Sequence, residues 1–225
     1  MAIYAISDLH LSFQTEKPMN IFGDNWEGYE EKLKNNWNSL VDKEDIVLMP
    51  GDTSWATYLT EGLEDFKFID ELNGVKIISK GNHDYWWETL TKMNGFLEKN
   101  SYTTIRFMHN TVFEYDDYVI CAAKGFDNTC EAKIVNRETE RICLSLDKAK
   151  ETNKKIILML HYPPFDKEGR FHQNLYEILN SYEPSFCIYG HLHGKGRVKA
   201  IEGLIGKTEY KLVSCDCIDF KPVKI

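Results

Sequence analysis

The sequence predicts a layered α/β or α+β domain, and three observations carry that prediction. Short apolar runs rich in β-branched residues alternate with longer amphipathic stretches. Most of these runs end at Gly, Asp, Asn or His, the residues of tight turns. The chain has 225 residues, 43% of them hydrophobic, and no repeat, low-complexity tract or Pro-rich linker divides it. One domain over residues 1–225 is the expectation.

The elements follow in chain order. IYAIS predicts a strand near 2–7, ending in Asp8-Leu9-His10. Residues 11–26, LSFQTEKPMNIFGDNW, have no period and are expected as a surface loop. A helix near 27–42 leads to a strand near 45–50, DIVLMP, which ends in Gly51-Asp52. A helix near 61–72 carries Leu63, Phe66, Ile69 and Leu72 on one face. The strand VKIISK near 75–80 ends in Gly81-Asn82-His83-Asp84, and a helix is expected over 87–98. In VFEYDDYVICAA, Asp116 and Asp117 turn a hairpin. An amphipathic helix near 134–151 buries Ile134, Ile142, Leu144 and Leu146. A strand near 155–160 precedes His161, and a helix follows near 172–182. The strand near 185–189 runs into Gly190-His191-Leu192-His193, and a last strand is expected near 209–215.

Composition narrows the function classes. A formal charge of −8 disfavours a broad phosphate-backbone footprint and so disfavours nucleic acid as a partner. No signal-length apolar stretch opens the chain and no run approaches a membrane span, so the expected location is the cytoplasm, without a membrane partner. The six cysteines contain no CxxC pair and read as small buried hydrophobes. Cys215 and Cys217 would share a face of the last strand, with packing favoured over a redox or soft-metal role. The sequence marks no oligomeric interface.

Histidine placement is the informative feature. Of seven histidines, His10, His83, His161, His191 and His193 leave a predicted strand at its carboxyl end, where loops of an α/β sheet converge on ligands. Asp8, Asp52 and Asn82 sit on the same turns. Mixed oxygen and imidazole donors without thiolates suit Mn, Fe or Zn. The set exceeds what one ion needs, so two ions fit better, with one aspartate between them.

In this order the residues resemble the calcineurin-like binuclear metallophosphoesterases. That family's pattern is Asp-x-His, Gly-Asp, Gly-Asn-His-Asp/Glu, a lone His and Gly-His-x-His; here it reads DLH, GD, GNHD, the His of LHYPP, and GHLH, over residues 8–193. GDTSW and GNHDYWW are similar to a sparsely characterised bacterial branch of predicted phosphohydrolases. The resemblance implies a four-layer α/β (α+β) sandwich, two packed mixed sheets flanked by helices, with the metal site at the C-terminal ends of strands. It implies that Asp8, His10, Asp52 and His193 hold one ion and that Asp52, Asn82, His161 and His191 hold the other. The implied cofactors are two divalent or trivalent ions, and the implied partner is a small phosphomonoester or phosphodiester. A water between the ions would lose its proton readily and attack phosphorus in line. His83 is the candidate to protonate or stabilise the leaving oxygen, and Asp84 to orient it.

The sequence departs from the family at one place. Many members continue the second motif to Gly-Asp-x-x-Asp, where the second Asp supports the catalytic His, and the protein phosphatases add an Arg. Here Gly51-Asp52-Thr53-Ser54-Trp55-Ala56 has neither, which weakens a protein-phosphatase reading. A metal-bearing binding or scaffold protein without turnover is therefore one alternative, and a nuclease, suggested by the clustered Trp55, Tyr85, Trp86 and Trp87, is another. Core packing is the simpler reading for each Trp. His109 and His172 read as ordinary hydrogen-bonding residues. Lys124, Lys133, Arg137, Arg141, Lys167, Arg170 and Lys195 read as a solvated face, with Arg137 or Arg170 the candidates for substrate contact.

Overall fold

Two sheets, back to back, organise the chain in a computed structural model that describes residues 1–127 and 129–225. The first contains β1 (Ile3–Ala5), β2 (Ile46–Pro50), β3 (Val75–Ser79), β4 (Ile105–Phe107) and β11 (Val223–Lys224), in the order β11-β1-β2-β3-β4. Only β11 runs antiparallel to its neighbour. The second contains β5 (Val112–Tyr115), β6 (Tyr118–Ala123), β7 (Lys155–Leu160), β8 (Phe186–Tyr189), β9 (Gly203–Ile205) and β10 (Thr208–Leu212), in the order β5-β6-β7-β8-β10-β9. Its four middle strands are parallel, and antiparallel β5 and β9 close the edges.

Strand alternation explains the layering. In β2, Ile46 and Leu48 point between the sheets, where they join Ala5 and Ile77 against Ile120, Ile157, Met159 and Ile188 of the second sheet. Val47 and Met49 point the other way. There they meet the helices α1 (Tyr29–Leu40), α2 (Leu63–Glu71) and α3 (Leu90–Asn100) through Leu33, Trp37, Phe66, Ile69 and Met93. The outer face of the second sheet packs in the same way on α4 (Ala132–Lys150) and α5 (Gln173–Tyr182). The result is a helix, sheet, sheet, helix sandwich, the layered domain read from the sequence in the form that the family resemblance implies. Strands buried on both faces also explain why these runs read as continuously apolar.

The differences from expectation have local causes. β4, β9 and β11 are not predicted, because each is two or three residues long and lies at a sheet edge, where little burial imposes a pattern. The last long strand ends at Leu212, and Cys215–Ile218 form a 3-10 turn, so Cys215 and Cys217 are not alternate strand residues. All six cysteines are free. Leu144 stands exposed on α4, since it lies two residues from both Ile142 and Leu146, which define the buried face. The 11–26 segment is not merely surface: 3-10 turns at Met19–Phe22 and Asp24–Trp26 bury Met19 and Trp26. Among the described residues, no helix is long and apolar enough to cross a membrane.

Candidate metal centre

The turns after β1, β2, β3, β7 and β8 meet at one end of the sandwich. Backbone hydrogen bonds zip the first two turns together, Asp8 N–H to Gly51 O and His10 N–H to Asp52 O, each 3.0 Å. The first sheet is tied to the second by Ser7 N–H to Val213 O at 2.8 Å and Cys215 N–H to Ser7 O at 3.0 Å. Asp8, His10, Asp52 and His191 all adopt the left-handed backbone region, with φ of 58°, 48°, 51° and 70°. Side chains other than glycine resist that region, so four such residues at one point mark a site held in place by its surroundings. At Gly190 a Cβ would overlap the Asp8 carboxylate and the Ser7 hydroxyl. Only glycine lets the β8 turn approach so closely.

The side chains form two overlapping groups. Ligand atoms of Asp8, His10 and His193 lie within 4.8 Å of one another, and so do those of Asp8, Asp52 and His161. Asp52 lies between the groups, its Oδ2 being 3.8 Å from His10 Nε2 and 3.4 Å from His161 Nε2. Asn82 joins through its Oδ1, 2.6 Å from His161 Nε2. The His191 ring lies beside them, its centroid 5.1 Å from that of His161. All seven sequence-predicted ligands are therefore at this end of the fold.

These contacts fit a cation better than a set of hydrogen bonds. His161 Nδ1 faces the Pro50 carbonyl at 3.0 Å, an acceptor, so that nitrogen carries the proton. Its Nε2 lone pair then faces the Asn82 oxygen, acceptor against acceptor, which a shared cation reconciles. His193 Nδ1 faces Asp216 Oδ1 at 2.8 Å, which turns the His193 Nε2 toward His10 Nε2 at 3.3 Å. Fixing the remote nitrogen on an acceptor is how proteins aim imidazole at metal.

Electrostatics point the same way. Burial lowers His10 and His161 to about 3, so both imidazoles are neutral and able to ligate. Burial, with the Asp8 and Asp84 carboxylates nearby, pushes Asp52 up to about 9. Burial also acts to raise Asp8, but the hydrogen bond and the charge of His193 hold it below the ordinary carboxylate range. Burial opposes a charge on His193, yet hydrogen bonds to Asp216 and Asp8 raise it to about 10. A buried carboxylate raised so far is short of positive charge, which a metal ion would supply.

The remaining sequence candidates are placed differently. His83 lines the cleft over the ligands, its N–H donating to Asp52 Oδ1 at 2.8 Å and its Nδ1 lying 3.3 Å from Tyr85 Oη. Trp55 occupies the place of the second Asp in the extended family motif, and its ring centroid is 4.5 Å from that of His83 and 4.8 Å from that of His10. Asp84 is buried and accepts from the backbone of Gly81, Asp52 and Thr53 and from Trp86 Nε1. It braces the turns, while Tyr85 and Trp55 meet the His83 ring. Trp86 is buried in the core. Arg170 pairs with Asp166 and Glu168 in an exposed turn and does not line the cleft. Arg137 lines a different cavity.

Sequence reasoning missed the supporting residues. Asp216 holds His193, and Ser7, Ser214 Oγ at 3.1 Å and the His191 N–H at 3.0 Å hold the Asp8 carboxylate. Met19, Phe22, Asn25 and Trp26 wall a cleft of about 590 Å³ over the ligands. Hydrophobic residues in an aperiodic loop were the available signal for the wall. Nothing local marks Asp216.

Converging carboxylates and imidazoles at the carboxyl ends of parallel strands give this α/β protein a group of side chains that could hold metal. The chain belongs to the calcineurin-like phosphoesterase family, whose model matches residues 1–195. Two solved structures share the fold. A protein of unknown function from Aquifex aeolicus, AQ665, is 19% identical, with 99% of this chain and 95% of that chain covered and a TM-score of 0.52. TT1561 of Thermus thermophilus is 13% identical, with 99% and 97% covered and a TM-score of 0.60. No curated protein matches significantly.

Proposed function

We propose that this protein hydrolyses a small phosphomonoester or phosphodiester at a centre of two metal ions, Mn, Fe or Zn. Asp8, His10, Asp52 and His193 would hold one ion, and Asp52, Asn82, His161 and His191 the other. The observation that carries the reading is the position of Asp52, between His10 and His161 and raised by burial among other carboxylates. When bound, the ions would neutralise phosphate oxygens and make water nucleophilic near neutral pH.

The chain's own residues would supply the rest. The Asp8 and Asp52 carboxylates are fixed by backbone N–H groups of His191 and His83, so the donors need little rearrangement to ligate. His83 faces the cleft with an imidazole lowered by burial and then by His191, suited to hydrogen-bond a leaving oxygen rather than to carry a standing charge. Trp26, Trp55, Met19 and Phe22 would exclude water and receive the apolar part of a substrate.

The test compares wild type with Asp52→Asn, adding Mn²⁺ and a panel of aryl phosphates and phosphodiesters while measuring bound metal. The wild type is expected to turn over, and the variant to lose both turnover and metal. Equal activity in the two proteins would sink the proposal, and bound metal without hydrolysis across the panel would favour a binding protein.

A further inference from the structure

The carboxylate next to His83 in the chain does not serve its ring. Both oxygens of Asp84 are taken by the backbone N–H groups of Gly81, Asp52 and Thr53 and by the Trp86 indole. Position 55 offers no carboxylate either: the Trp55 ring packs against His83, and its Nε1 donates to Met19 Sδ at 3.1 Å. Among the described residues, the His83 imidazole has one hydrogen-bond partner, the Tyr85 hydroxyl, 3.3 Å from Nδ1.

Local geometry brings the two side chains together. The Tyr85 N–H donates to His83 O at 2.8 Å, a tight turn that leaves the two rings nearly perpendicular with centroids 6.0 Å apart. The His83 N–H is fixed on Asp52 Oδ1, so only the side-chain torsions of His83 remain to be set. Lys17 Nζ lies over the Trp55 and Tyr85 rings, 4.7 and 6.0 Å from their centroids, and ties the loop before α1 to both. A phenol donates better than it accepts, because its oxygen lone pair is drawn into the ring, and a bare imidazole nitrogen accepts well. The favoured pairing leaves Nδ1 unprotonated, with the single N–H of a neutral imidazole on Nε2. Since His83 lines the cleft and Nδ1 is taken, Nε2 is the nitrogen left for a group within it.

We infer that Tyr85 is a positioning residue: its hydroxyl donates to His83 Nδ1, fixes the ring and its tautomer, and so presents Nε2–H to the oxygen that leaves phosphorus. The inference rests on the phosphoester hydrolysis proposed above. As the bond from phosphorus to the leaving oxygen breaks and that to the attacking water's oxygen forms, charge gathers on the departing oxygen. Nε2–H holds that charge by a hydrogen bond, the imidazole keeps its proton, and the departed oxygen is protonated by solvent. An alkyl oxygen bears the full charge, whereas a para-nitrophenyl oxygen spreads it into its ring. The help from His83, and from Tyr85 through it, is therefore graded by the leaving group.

Tyr85 is 55% exposed, so Tyr85→Phe removes the hydroxyl without disturbing the core. The variant is compared with wild type, with Mn²⁺ added, on an alkyl phosphate and on para-nitrophenyl phosphate. On the alkyl ester kcat is expected to fall about 3- to 10-fold, the loss of one neutral hydrogen bond. On the nitrophenyl ester the fall is expected to stay under about twofold, with KM little changed for either, because the hydroxyl faces His83 and not the substrate. In a His83→Gln background, Tyr85→Phe should bring no further loss. Equal losses on the two esters, or a loss undiminished without His83, would overturn the inference. A readout without turnover is nitrogen NMR of the histidine-labelled full chain with Zn²⁺ added, at about pH 8, above the ordinary histidine range. His83→Gln supplies the assignment. The His83 Nδ1 is expected as an unprotonated nitrogen whose signal moves downfield when Tyr85→Phe takes its donor away. A protonated Nδ1, or a signal that the variant leaves in place, would overturn the inference whether or not any ester is hydrolysed. A wild type without turnover on either ester would instead sink the proposed function, and the nitrogen signal would still decide the Tyr85 contact.

Discussion

Asp216→Asn replaces one oxygen by an amide nitrogen, yet it is expected to weaken metal binding by about 10- to 100-fold. Asp216 accepts twice, from His193 Nδ1 at 2.8 Å on one oxygen and from the Gly194 N–H at 3.0 Å on the other. An asparagine must turn its amide nitrogen toward one of these two donors. If the His193 contact survives, it falls from a charge-assisted bond of about 1.5–3 kcal/mol to a neutral one of about 0.5–1.5 kcal/mol, and the Gly194 bond is lost as well. Loosening the hydrogen bond that orients a candidate metal-ligating imidazole is the kind of change that costs about 10- to 100-fold in metal affinity. Asp216 also favours a proton on His193, which competes with metal, but a divalent ion at Nε2 gains more from the carboxylate than a proton does. Titration of the metal-free protein with Mn²⁺ reads the effect directly, with thermal melting as the control for folding. Affinity within about twofold of wild type, in a folded variant, would refute the role given to Asp216.

Three further outcomes follow from the same geometry. Gly190→Ala places a methyl on the Asp8 carboxylate and the Ser7 hydroxyl, so urea unfolding is expected to show a loss of about 1–3 kcal/mol; an unchanged midpoint would contradict the close approach. Trp55→Ala removes an aromatic wall beside His10 and His83, and KM for aryl phosphates is expected to rise about 2- to 10-fold, more than for alkyl phosphates. Equal changes for both classes would remove Trp55 from substrate contact. Burial lowers Lys76 to about 7, although Nζ caps the carbonyls of Leu72 and Gly74 at 2.6 and 2.9 Å. The folded chain therefore binds fewer protons than the unfolded chain above that pH. The Lys76 contribution to stability rises from about pH 7 toward its unfolded value of 10.5, by up to about 1.4 kcal/mol per pH unit. Measured between pH 7 and 9, wild-type stability should climb relative to Lys76→Met; parallel curves would show that the capping carbonyls keep the lysine charged throughout.

The sequence by itself determined the strands, since runs such as Ile46–Pro50 bury alternate residues on two faces and leave no polar position to obscure them. The seven candidate donors were legible too, because each sits on a short turn at a strand's end and strand ends can be read locally. Edge strands escaped, being too short for burial to impose a period. What only the tertiary structure decided depends on contacts between distant segments. The left-handed backbone at Asp8, His10, Asp52 and His191 is imposed by the zipping of neighbouring turns, and no residue type announces it. Asp216 meets His193 across 23 positions because a 3-10 turn follows β10 where a longer strand would have carried it elsewhere. Arg137 reads as a solvated cation until α4 packs beside β6 and sets it with Glu138 opposite Lys80 and Lys124. Periodicity records which face of an element is buried, but which elements then share an end is settled by packing over the whole chain.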